Sequence, residues 1–196
     1  MKNHGMRDPT LRDRKLRHLF RLNDRDGDGF ISHDDLLRQC DEYASLRGWQ
    51  AHAPLASGHR AALEGIWGLY LSAATPHDGD RVSLDAWMRF WGRYIAVVEA
   101  ELAAGDTRTL DAMMSGVRQL FVLFDDRGTG RADAARWCAH AASLGIADPE
   151  AAFERIDPMG FGSLTPDDCV RLQTEFLLSD DTAAPGNHYF GVIDGI

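Results

Sequence analysis

Apolar residues recur at helical spacing along most of the chain, and the polar breaks between them come in a repeating order. Leu16, Leu19 and Phe20 form a first inner face, with Asp8-Pro9 ahead of it as N-cap and N1 proline. Leu36, Leu37, Cys40, Tyr43 and Ala44 form the next, which Gly48 ends. Leu63, Ile66, Trp67, Tyr70 and Leu71 follow at i, i+3, i+4, i+7 and i+8, and Leu84, Trp87, Met88, Trp91, Tyr94, Ile95 and Val98 repeat the stripe. The stretch from Leu102 to Thr109 breaks the period and reads as a linker. Beyond it Met113, Met114, Val117, Leu120, Phe121 and Phe124 predict a fifth helix, and Trp137, Cys138, Ala141 and Leu144 a sixth. Asp148-Pro149 opens a seventh with Phe153 and Ile156 inward, and Cys169, Leu172 and Phe176 mark an eighth. No strand of any length is indicated, so the expected fold class is all-α. The tail beyond residue 180 has turn formers and then apolar residues, which predicts that it packs back on the body.

The helices come in pairs around short polar turns, and the first turn, Asp24 to Asp35, carries chemistry. Asp24, Asp26, Asp28 and Asp35 stand at positions 1, 3, 5 and 12 of a twelve-residue loop. This is the ligand spacing of an EF-hand, in which position 7, here Phe30, offers its backbone carbonyl. A hard cation takes oxygen ligands at ~2.3–2.6 Å, and alternate residues of a tightly wound loop point inward to supply them. Gly29 at position 6 permits the sharp turn. Ile31 at position 8 points into the core, and Ser32 and Asp35 fall at the N-cap and N3 of the following helix. An acidic turn that only caps a helix leaves the other consensus positions to coincidence.

The three sister loops have lost ligands. In the third, Asp125 and Gly130 hold positions 1 and 6, but Arg127 and Arg136 stand at positions 3 and 12, where a guanidinium repels a dication. In the fourth, Asp157, Gly162 and Asp168 hold positions 1, 6 and 12, while Met159 and Phe161 replace the ligands at 3 and 5. The second is the most eroded: with Val82 at position 8, Thr75, Asp80 and Ala86 fall at 1, 6 and 12. Hands pair through the residues around position 8, so Ile31 is expected to face Val82, and Ala132 to face Leu164.

The length of 196 residues allows one compact body with a proper core, and 44% hydrophobic and 26% charged residues are ordinary for a soluble protein. The net charge of −9 argues against nucleic-acid binding and suits a protein that handles cations. Three scattered cysteines, Cys40, Cys138 and Cys169, fit buried thiols better than a disulfide framework or zinc site. No apolar run is long enough to span a membrane and no secretory signal is visible, so a cytoplasmic protein is expected. The excess of arginine over lysine hints at a bacterial coding sequence.

The four hands, the long gap between the first two loops and the tail DDTAAPGNHYFG together resemble the sarcoplasmic calcium-binding proteins, with the bacterial calerythrin-like branch the nearest match. The resemblance covers about residues 10 to 192. It implies four EF-hands in two pairs packed face to face in one compact domain. Residues 1–103 would form the first pair, 104–180 the second and 181–196 a packed tail. It also implies a calcium buffer or signal modulator, here with one competent site. Asp35 is one methylene shorter than the usual Glu, so calcium binding is expected to be micromolar or weaker, and the site also suits magnesium at ~2.0–2.1 Å. A second class of function stays open. The fold resembles that of calcium-regulated photoproteins, so the scaffold could enclose an apolar small molecule or act as an enzyme, with calcium as stabiliser. No ligand role carries over to His18, His140 or His188. A third reading is a sensor opening onto a partner helix, for which Met113-Met114 is the one methionine cluster. The basic first helix (Arg12, Arg14, Lys15, Arg17, Arg21) reads as a solvated face, or as one set against anionic lipid.

Overall fold

The computed structural model describes residues 9–50, 54–72, 79–125, 127–193 and 195. Among these it has eight α-helices: α1 (Leu11–Asn23), α2 (His33–Leu46), α3 (Pro54–Leu71), α4 (Leu84–Ala103), α5 (Arg108–Leu120), α6 (Ala134–Ser143), α7 (Pro149–Ile156) and α8 (Pro166–Leu178). Four two-residue strands, β1 (Phe30–Ile31), β2 (Val82–Ser83), β3 (Ala132–Asp133) and β4 (Ser163–Leu164), lie in the turns. They pair antiparallel as β1–β2 and β3–β4, with Ile31 opposite Val82 and Ala132 opposite Leu164, the register read from position 8 of each loop. Ile31, Val82, Ala132 and Leu164 are buried, so each bridge is also a piece of core.

The two pairs of hands close on each other through α1 against α8, α2 against α6, and α4 against α5. Trp87 is fully buried, with its indole nitrogen donating to the Leu16 carbonyl at 3.0 Å. Tyr43, also fully buried, donates its hydroxyl across the interface to the Leu123 carbonyl at 2.8 Å. The end of α5 tightens into a 3-10 turn, Phe121–Leu123. That turn sets Phe121 and Phe124 inward at the place where α5 would otherwise run on.

Two helix boundaries differ from the sequence reading. The first helix is capped by Thr10, whose side chain accepts from the Asp13 amide while Asp13 reaches back to the Thr10 amide. This reciprocal capping box satisfies two end groups at once, where a proline at N1 satisfies none. Asp8 itself lies outside the described residues. The predicted linker shrinks because α4 runs to Ala103 and α5 starts at Arg108. The second-loop positions Thr75 and Asp78 also lie outside the described residues.

The tail lies against α8, and a buried lysine fastens it. Gly186, Asn187 and His188 form a buried 3-10 turn with Pro185. A β-carbon at Gly186 would sit 2.3 Å from the Leu172 carbonyl, so only glycine allows this approach to α8. Lys15 Nζ donates to the carbonyl of Ser179 at 2.7 Å, to that of Glu175 at 3.3 Å and to Asn187 Oδ1 at 3.1 Å. The first helix therefore does not present one basic face. Lys15 is fully buried, and Arg12 pairs with Glu99 and Asp180.

Candidate metal centre

Loop 1 begins where α1 ends, because Asp24 is the C-cap of that helix, and it finishes inside the first turn of α2. Its turn is held by its own carboxylates. Gly29 N–H donates to Asp24 Oδ2 at 3.0 Å, Asp28 N–H to Asp26 Oδ1 at 3.2 Å, and Phe30 N–H to Asp28 Oδ1 at 2.8 Å. Gly29 sits at φ +89°, a conformation that any side chain would resist. Together these bonds leave one oxygen each of Asp24, Asp26 and Asp28 within 4.8 Å of one another. Asp24 Oδ1 is buried and has no hydrogen-bond partner among the described residues. Burial raises the Asp24 carboxyl above its ordinary range, and the charges of Asp28 and Asp35 push the same way, against the Gly29 and Gly27 amides. A stranded carboxylate oxygen beside two more carboxylates fits a hard cation.

The structure does not bring Asp35 into that group. Its Oδ2 accepts from the Ser32 amide at 2.8 Å and hydroxyl at 2.6 Å, and its Oδ1 accepts from the Arg25 amide at 3.1 Å. Asp35 is buried and serves as the N3 member of the α2 capping box. The sequence places one carboxylate in two roles, helix cap and twelfth ligand, and the structure has it in the first. Phe30, whose carbonyl was expected at position 7, begins β1.

Loops 3 and 4 keep the turn without the ligands. Asp125 and Asp157 each accept from the glycine amide five residues on, as Asp24 does. In loop 3 the Thr129 amide is the main cause that holds Asp125 below the ordinary carboxylate range, and Arg136 adds to it. Arg136 also pairs with Asp133, so a protein cation already occupies this loop's ninth and twelfth positions. In loop 4, Met159 and Phe161 are 75% and 70% exposed and offer no oxygen from their side chains. In loop 2, Ser83 caps α4 by accepting from the Ala86 amide, and Ala86 is fully buried.

Between the lobes lies a cavity of about 150 Å³, bordered by Leu19, Gln39, His59, Tyr70, Trp91 and His140 among others. Two of these residues carry buried nitrogens, Trp91 Nε1 and His140 Nδ1, without a partner among the described residues. Burial lowers the His59 and His140 pKa values to about 4 and about 3, so both imidazoles are neutral at pH 7. Sequence reasoning had no signal for this cavity, because its walls come from seven helices and the tail. The cysteines are free, with Cys40 and Cys169 buried and Cys138 half-buried. Among the described residues no helix is long and apolar enough to cross a membrane.

No protein-family model and no curated protein sequence matches the chain. Solved structures do. A Streptomyces coelicolor calcium-binding protein described in prokaryotic calcium-mediated regulation is similar over 91% of this chain and 98% of its own, at 15% identity and TM-score 0.65. A sarcoplasmic calcium-binding protein from amphioxus is similar over 93% and 97%, at 19% identity and TM-score 0.62. Okadaic acid binding protein 2.1 is similar over 96% and 99%, at 16% identity and TM-score 0.68. With eight helices, two short bridges and these neighbours, the chain has the compact four-EF-hand fold of the sarcoplasmic calcium-binding proteins.

Proposed function

We propose that this protein binds one calcium ion in its first hand and acts as a signal modulator or weak buffer, with the other three loops serving as architecture. The observation that carries the reading is the stranded Asp24 oxygen within a group of three carboxylates. Asp24, Asp26 and Asp28 would hold the ion by their side chains, Phe30 by its carbonyl, and Asp35 would complete the set. When bound, the ion would supply two positive charges to these carboxylates. Asp35 must give up hydrogen bonds from Ser32 and Arg25 to reach it, which supports micromolar or weaker affinity and tolerance of magnesium. The arginine excess and three free thiols support a bacterial cytoplasm as its setting.

Titration calorimetry tests the stoichiometry, with one ion per chain expected. An ion at a hundredfold excess over its dissociation constant stabilises the native state by ~2.7 kcal/mol. That corresponds to a rise of about 5–11 °C in Tm for a chain of this size. Asp28→Ala should abolish the rise. A nanomolar dissociation constant, a second ion, or an undiminished rise in the variant refutes the assignment.

A second reading is supported by the buried nitrogens of Trp91 and His140 beside the central cavity: a scaffold that encloses a small apolar molecule. At about 150 Å³ the cavity suits a single ring, since drug-sized sites occupy ~300–1,000 Å³. A panel of monocyclic aromatics in a thermal-shift assay tests it, and no stabilisation by any of them counts against it.

A further inference from the structure

The second loop has no credible ligand set, yet one of its residues lies on the first loop's ligands. Arg81 Nη1 donates to Asp28 Oδ2 at 3.2 Å, and its guanidinium carbon stands 4.0 Å from the centroid of the Phe30 ring. Asp28 and Phe30 are the fifth and seventh positions of the candidate centre. The contact follows from the register. Phe30 pairs with Ser83 and Ile31 with Val82, so the side chain just before β2 emerges beside the end of loop 1. The second pair of hands repeats this geometry with a different partner. Arg131, just before β3, donates its Nε to Ser163 Oγ at 2.8 Å across the bridge. In that pair the arginine meets a hydroxyl, and in the first pair it meets a carboxylate of the ring.

We infer that Arg81 is a tethered cation that competes with the metal for Asp28 and sets the affinity of the first hand. Asp28 Oδ1 is already engaged by the Phe30 amide, so Oδ2 is the oxygen Arg81 holds. Stacking on Phe30 keeps the guanidinium there when thermal motion would carry a free surface arginine away. A divalent ion entering the ring must displace this contact or bind beside a like charge. Both routes weaken binding. The eroded second hand thereby tunes the hand it pairs with, which gives its loop a role besides support. This inference rests on the single-site reading above.

The test is calcium titration by calorimetry on the full chain as wild type, R81Q and R81K, at low and high KCl. A unit charge about 8 Å from a dication, at water-like screening, is worth a factor of about five in a binding constant. R81Q is expected to bind calcium about fivefold to tenfold more tightly at low salt, with the gap closing as KCl screens the arginine. R81K keeps the charge and is expected to bind like wild type. Without metal, R81Q should melt within a degree or two of wild type, because exposed ion pairs contribute little to stability. R81Q binding equally or more weakly than wild type, or R81K binding as tightly as R81Q, overturns the inference while a wild-type stoichiometry of one leaves the site reading standing. Wild type that takes no calcium removes both.

Discussion

Lys15→Met separates two opposed effects at the buried ammonium that joins α1 to the tail. The stem keeps its volume, so packing is nearly unchanged and only the charge and its donors are lost. Of the three acceptors, the Glu175 carbonyl also accepts from the Ser179 amide at 2.9 Å and stays satisfied. The Ser179 carbonyl and Asn187 Oδ1 are stranded, at about 1–3 kcal/mol each. Against this, the variant escapes burying a charge. Burial lowers the Lys15 pKa from 10.5 to about 8, with Asp180 pulling it back up, which corresponds to ~3 kcal/mol against the charged form. The two effects nearly offset, so the net change at pH 7 is expected to lie between a gain of about 1 kcal/mol and a loss of about 3 kcal/mol. The pH dependence is sharper than the magnitude. Between pH 8 and 10.5 the folded protein has shed the Lys15 proton while the unfolded chain keeps it, so wild-type stability gains with rising pH from this group. The variant lacks that gain, so it should lose about 2 kcal/mol relative to wild type from pH 7 to pH 9.5. Cysteine and tyrosine titrations cancel in the difference. Urea unfolding of both proteins at the two pH values measures it. A difference between the two proteins that stays constant from pH 7 to pH 9.5, or moves in the variant's favour, refutes the argument.

Two further outcomes follow from the other sites. The neutral imidazoles His59 and His140 stay unprotonated in the fold down to about pH 4 and pH 3, whereas the unfolded chain takes protons below about pH 6.5, so stability is lost as pH falls through that window, by at most ~1.4 kcal/mol per pH unit for each residue. His140→Gln should show a shallower fall of Tm between pH 6.5 and 4.5, and an unchanged slope would place the acid sensitivity elsewhere. In loop 4, Met159→Asp with Phe161→Asp restores carboxylates at positions 3 and 5 between Asp157 and Asp168. Both replaced side chains are largely exposed, so the change disturbs little packing, and calorimetry should give two ions per chain in place of one.

The sequence was most legible where period and spacing coincide. Ile31, Ala132 and Leu164 stand at position 8 by counting from Asp24, Asp125 and Asp157, because an EF-hand loop has a fixed length, and placing Val82 at the same position of the eroded second loop suffices to pair them. The Ser32 capping box was equally local, needing only residues three apart. What failed depends on contacts far along the chain. Lys15 read as one member of a basic face, since nothing near it announces burial; its partner Asn187 lies 172 residues away. Arg81 carried no signal, because its meaning comes from the bridge that sets it against Asp28. For Asp35 the local rules conflicted, since the same carboxylate suits the N3 cap and the twelfth ligand.

Why loops 3 and 4 keep their shape after losing their ligands follows from what the loop needs in order to fold. The turn is closed by the first aspartate accepting from the sixth-position glycine amide, a bond present at Asp24, Asp125 and Asp157 alike. The loop is then fastened by its eighth residue, which buries apolar surface against the partner hand. Neither demand involves positions 3, 5 or 12, so those can drift without unfolding the pair. They drift in ways that remove the electrostatic problem: Arg136 neutralises loop 3, and Met159 and Phe161 take two charges out of loop 4. Among the described residues, loop 1 alone of these three has three clustered carboxylates with a stranded oxygen, and its counter-charge comes from outside the loop, through Arg81 at Asp28 and Arg38 at Asp26. Relief supplied by a displaceable side chain keeps the ring available to an ion.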